Sequence, residues 1–120
     1  MNEELKKGNL IVQLSFGLAV DMIPFCAELD AMKKWSLANQ ILRASLSIGA
    51  NVREAQNAES KADFIHKMKI AAKEADEVEY YLEVCNASIL LPDAGILLEK
   101  VRSICKVLNK IIGSSKMANT

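Results

Sequence analysis

Between Ser47 and His66 the chain reads "SIGANVREAQNAESKADFIH". Small and apolar residues there have the spacing of a tightly packing helix, yet Asn51, Arg53, Glu54 and Gln56 crowd the place where the apolar stripe should continue. Such a set of amides, a guanidinium and a carboxylate can hold a polar ligand, recognise a partner, or fix how helices pack. An amide inside a packed stripe must find partners, because leaving it unpaired costs about 1–3 kcal/mol. The best-attested use of an Asn in that position is to set helix register and oligomeric state. The packing role is therefore favoured, with a small-molecule site around Asn51, Glu54 and Glu77 as the distant rival.

Other chemistry fails on residue count and spacing. A di-iron bundle needs Glu-x-x-His on two helices, and the single histidine, His66, has Asp63 three residues before it. Zinc needs converging Cys and His ligands, whereas Cys26, Cys85 and Cys105 are dispersed on or beside apolar stripes and expected to be buried reduced thiols. C-type haem needs C-x-x-C-H, and helical ribonucleases of one kind need an Arg and a His with four to six residues between them. Arg53 and His66 are too distant for that. No Gly-rich phosphate loop and no Ser-His-Asp or Cys-His arrangement occurs. No catalytic residue, cofactor or metal is assigned.

The elements that position these groups follow from apolar periodicity. A first helix is expected over about residues 9–33, with Ile11, Leu14, Leu18, Met22, Phe25, Leu29 and Met32 on one face and a kink at Pro24. A second, about 37–57, should start at Ser36 as N-cap. Its stripe is Leu37, Ile41, Ala44, Ile48, Asn51 and Ala55, flanked by Leu42, Ser45, Gly49 and Val52. That band is wider than one neighbour needs. The third, about 61–90, begins at a capping box of Ser60 and Asp63 and carries Phe64, Met68, Ala71, Ala75, Val78, Leu82, Cys85 and Ile89 before Pro92 ends it. The fourth, about 93–113, carries Leu97, Val101, Ile104, Leu108 and Ile111 and fades at Gly113. Together they predict an all-α, antiparallel up-and-down four-helix bundle spanning the 120 residues as one domain.

If the second and third helices form a hairpin about Ala58, Arg43 falls level with Glu74 and close to Glu77, an inter-helix ion pair. The same arithmetic sets Gly49 and Ala50 opposite Lys67 and Met68, and Ala44 and Ser45 opposite Ala71 to Ala75, so small residues face small ones.

Composition agrees. Half the chain is hydrophobic but only 5% aromatic, which suits helices packed on helices. Formal net charge is zero, so no global field draws the protein to nucleic acid or an anionic membrane. The start, "MNEELKKGNL", lacks the basic head and long apolar run of a signal peptide. Apolar stretches are expected to be broken by polar residues before membrane-spanning length. The expectation is a soluble cytoplasmic protein.

The segment "QILRASLSIGANVREAQNAESKADFIHKMKIAAKEADEVEYYLEVC", Gln40 to Cys85, resembles the bacterial four-helix-bundle proteins named after open reading frames in intervening sequences of 23S ribosomal RNA genes. It shares their SI-x-x-N-x-x-E-A core at Ser47 to Ala55, the helix start at Phe64 to Ala71, and the acidic "EADEVEYYL" at Glu74 to Leu82. The first and fourth helices match in pattern and length. The resemblance implies a left-handed bundle that associates into a ring of five, and no settled activity. It draws attention to the polar positions Arg43, Ser47, Asn51, Glu54 and Glu77, as holders of the fold or of a partner. Separately, the wide apolar band of the second helix, with its small Gly49 and Ala50, is expected of a surface that also packs against other subunits. A related group, accessory proteins of diversity-generating retroelements, forms a basic pentameric barrel that binds nucleic acid and a reverse transcriptase. This chain departs from it in having zero net charge.

Charge is nevertheless uneven. After Leu91, Lys100, Arg102, Lys106, Lys110 and Lys116 outweigh Asp93 and Glu99. These are either solvated faces or, repeated around a ring, a basic surface able to grip phosphates. Tyr80, Tyr81 and Trp35, the residues able to stack on bases, are not interleaved with the cations. The first reading is thus a non-enzymatic homo-oligomeric scaffold or adaptor for a protein or RNA partner. The second is an RNA-binding accessory protein using Lys100, Arg102, Lys106 and Lys110.

Overall fold

A computed structural model describes residues 9–117. It contains four helices, α1 (Leu10–Ala31), α2 (Trp35–Ala55), α3 (Lys61–Ala87) and α4 (Gly95–Met117). Each packs on two neighbours in a closed square, α1 on α2, α2 on α3, α3 on α4 and α4 on α1, with no diagonal backbone contact. Cross-helix pairs join the end of one helix to the start of the next, as in Glu54 with Lys67 and Glu83 with Arg102. Successive helices therefore run in opposite directions. The bundle measures 50 × 28 × 21 Å.

The core holds Met22, Leu29, Ile41, Ile48, Met68, Leu82 and Leu108, all withdrawn from solvent. The stripes of α1, α3 and α4 fall largely where periodicity places them. In α2 the buried line is turned by one residue at each end, to Ala38 and Val52 in place of Leu37 and Asn51. Apolar Val52 takes the core position and the Asn51 amide stays half-buried, bonded within α2.

Local capping explains the ends. Asn9 Oδ1 accepts the Val12 N–H at the start of α1. Ser60 Oγ accepts the Asp63 N–H at 3.0 Å, and Asp63 Oδ2 accepts the Glu59 N–H at 3.2 Å. The predicted capping box forms, with its carboxylate reaching one residue further back than usual.

Four expectations are corrected. Ser36 is not the N-cap of α2. Lys33 takes a left-handed conformation (φ 63°) and the Lys34 N–H bonds back to the Leu29 carbonyl, so α1 closes within three residues and α2 begins already at Trp35. α3 stops at Ala87, because Ser88 turns extended ahead of Pro92, and Ile89 is 99% exposed instead of in the stripe. α4 runs through Gly113 to Met117, since Gly113 does not take the positive φ that a glycine stop requires.

Finally, α1 has the length (22 residues) and mean hydropathy (1.8) to cross a membrane, against the expected interruption. Its one acidic interruption before Glu28, Asp21, is paired with Lys100 of α4, and its Leu18, Met22, Phe25 and Leu29 side lies in the bundle core. α1 also continues unbroken through Pro24, with buried residues in phase on both sides.

Candidate functional site

An apolar concavity lies between α1 and α2. Phe16, Val20 and Ile23 form a second stripe on α1, offset from the core stripe and about half exposed, and Leu46 and Ala50 on α2 face it. Together with Arg53 they bound a groove of about 350 Å³. At its floor Gly49 packs on Ser15, where an added Cβ would sit 3.7 Å from the Ser15 carbonyl oxygen. Gly49 and Ala50 thus turn toward α1 and the groove, not toward Lys67 and Met68. Hairpin arithmetic gives the level of a residue along the axis, not the side to which it points. No acidic residue lines the groove, and Arg53 has no ion pair among the described residues.

A polar ladder crosses the α2–α3 seam. Arg43 Nη1 lies 3.5 Å from Glu74 Oε2 and Nη2 lies 3.7 Å from Glu77 Oε2, as the hairpin predicted. Lys67 Nζ donates to Glu54 Oε1 at 3.0 Å, and this bond raises the Lys67 pKa above its ordinary value. Between these rungs Asn51 is half-buried. Its Nδ2 donates to the Ser47 carbonyl at 2.9 Å and to Ser47 Oγ at 3.2 Å, both within α2. The structure thus joins Arg43 to Glu77, Ser47 to Asn51 and Glu54 to Lys67, but gathers no common pocket around Asn51, Glu54 and Glu77.

The α3–α4 seam carries a group that sequence spacing did not bring together. Ligand atoms of Asp76, Glu79 and Cys105 lie within 4.8 Å of one another. The Cys105 thiol donates toward Asp76 Oδ1 (3.7 Å) and Glu79 Oε1 (3.8 Å), and Arg102 binds Glu79 and Glu83 at 3.0 and 3.1 Å. Burial first, and then the two carboxylates, push the Cys105 pKa up to about 12. Burial pushes Cys26 to about 11 and raises Cys85 as well. All three thiols are free, but Cys105 is only half-buried, a correction that follows from its place on the seam and not in the core.

Of the basic positions on α4, Lys100 pairs with Asp21 and Arg102 with Glu79 and Glu83, while Lys106 and Lys110 stand exposed. Lys116 meets Lys69 across the seam, and that contact lowers its pKa.

Sequence reasoning missed Phe16, Val20 and Ile23. Their signal was present, as three apolar residues at helical spacing outside the core stripe. Residues 7–110 match the model of the 23S rRNA-intervening sequence protein family. The chain belongs to that family. The match runs from the start of α1 through most of α4, well beyond the Gln40–Cys85 segment. A crystal structure of a protein of unknown function from the S23 ribosomal protein family of Bacteroides thetaiotaomicron is similar, with 37% identity and a TM-score of 0.81. The similarity covers 86% of this chain and 98% of that one. No curated protein matches.

Proposed function

We propose that this member of the 23S rRNA-intervening sequence protein family is a non-enzymatic, self-associating helical scaffold of the cytoplasm, with no metal or membrane requirement. The observation that carries the proposal is the α1–α2 groove. Phe16 is 59% exposed, Val20 49%, Ile23 55% and Leu46 51%, all on one side of the bundle. Soluble monomers rarely leave such a continuous apolar surface in water, and patches of this kind mark protein contacts. A bundle side of 50 by 28 Å also exceeds the roughly 800 Å² per partner that a stable interface buries. The family resemblance implies five copies in a ring, which would repeat each surface feature around one axis and present it to a protein or RNA partner.

Sedimentation velocity of the purified full chain tests this. A species several times the monomer mass that becomes monomeric on Val20→Glu, with helical circular dichroism retained, is the expected result. A wild-type chain that stays monomeric at all attainable concentrations overturns it.

A further inference from the structure

If the groove receives a second copy, as proposed above, the remaining question is which surface of that copy enters it. The groove contains a guanidinium, Arg53, that is unpaired among the described residues, and no acid lines it. A two-fold contact of groove on groove would set two concave surfaces face to face and bring two Arg53 side chains into one acid-free apolar interface. Neither shape nor charge is then matched. A matching surface must offer exposed apolar side chains and an unpaired acid.

The outside of α3 carries an exposed strip that is apolar and acidic, the α3 ridge, whose Asp76 and Tyr80 also border a shallow hollow with Lys73, Glu77 and Tyr81. Asp76, Tyr80 and Val84 follow one another at single-turn spacing, with Tyr80 62% and Val84 42% exposed on the acidic C-terminal half of α3. Asp76 is exposed and has no cationic partner among the described residues, whereas Glu74, Glu77, Glu79 and Glu83 all have one. The dimensions agree: Asp76 to Val84 spans about 12 Å and Arg53 to Leu46 about 10 Å at the helical rise. We infer that the α3 ridge of one copy seats in the α1–α2 groove of the next, with Asp76 against Arg53, Tyr80 among Phe16, Val20 and Ala50, and Val84 toward Ile23 and Leu46.

This contact is heterologous, and its polarity is fixed by charge. Matching Asp76 to Arg53 makes α3 of one copy run in the direction of α1 of the next, so all bundles point the same way. Arg53 lies near the level of Lys67 in its own bundle, about 13.5 Å below Asp76 along α3. In a bundle 28 Å wide, that offset corresponds to staves tilted by roughly 25° in a closed ring, or to a climbing filament if they stay upright.

A mixing experiment tests the pairing separately from self-association. Val20→Glu spoils the groove and leaves the ridge; Tyr80→Glu spoils the ridge and leaves the groove. Each variant alone should be a helical monomer, and an equimolar mixture should give a heterodimer that grows no further. Arg53→Glu and Asp76→Arg should each weaken assembly, and the double variant should restore it. Assembly of Tyr80→Glu like the wild type, or two monomers that stay apart when mixed, overturns the ridge assignment while self-association stands. A monomeric wild type overturns the groove proposal on which it rests.

Discussion

Arg43 on α2 and Glu74 on α3 face each other at 3.5 Å, yet only Glu74 is withdrawn from solvent, its side chain 11% exposed against 61% for that of Arg43. Among the described residues Glu74 Oε2 makes no hydrogen bond and is paired with this cation alone. Removing the partner of a buried charge costs more than the pair contributes, whereas replacing the buried member with an apolar residue is often neutral. Arg43→Met should therefore destabilise the fold by about 1–2 kcal/mol, reduced from the fully buried case by the exposure of Arg43. Glu74→Leu should leave stability unchanged or raise it. Urea unfolding followed by circular dichroism checks both, and equal losses from the two variants would contradict the asymmetry.

This pair also shows what the sequence made legible. Helical periodicity and hairpin arithmetic place residues along an axis, so the four helices, the Ser60 cap and the Arg43–Glu74 level could all be read in advance. Neither gives the azimuth of a side chain in a helix with two neighbours. Gly49 was therefore assigned to α3 although it packs on Ser15 of α1, and Asn51 was placed in the core although its bonds stay within α2. The groove was missed because Phe16, Val20 and Ile23, although at helical spacing outside the core stripe, were not read as a stripe of their own; packing sets them with Leu46 and Ala50 around one hollow.

Two backbone positions carry the wrong residue for stability. Lys33 holds a left-handed φ of 63°, where glycine bears no steric cost. Gly49 sits mid-helix with ordinary room for a Cβ. Lys33→Gly and Gly49→Ala should each stabilise by about 0.5–1 kcal/mol, a rise of a few degrees in melting temperature by calorimetry. A loss at Gly49→Ala would mean that the α1–α2 approach is tighter than 3.7 Å implies.

The thiols should be unreactive at neutral pH. With a pKa of about 12, Cys105 holds far less thiolate at pH 8 than a free cysteine, so iodoacetamide should label it at least tenfold more slowly. Asp76→Asn should lower that pKa and speed labelling. The sign for stability follows from linkage. Above pH 9 the unfolded chain has lost thiol protons that the folded chain retains, so stability should fall as pH rises from about 9 toward 11, the value for Cys26. Cys26→Ala should flatten that decline in melting temperature, although the lost side chain lowers the overall value. An alkaline profile of unchanged slope would contradict burial as the cause.

Binding of RNA can be decided by the charges that remain free. Lys100 and Arg102 already have carboxylate partners in Asp21, Glu79 and Glu83, so bringing phosphate to them must first break ion pairs and would release fewer counterions than free cations do. Lys106 and Lys110 are exposed and lie one turn apart on α4. Fluorescence anisotropy of a labelled structured RNA should show weak binding at low salt, lost in Lys106→Glu/Lys110→Glu with the oligomer intact, and no saturable binding at physiological salt. If binding persists there with a steep salt slope, and the double variant abolishes it, repetition of this pair around an assembly supplies the phosphate contacts. The protein would then belong among nucleic-acid-binding accessories, with the groove serving only to build the basic surface.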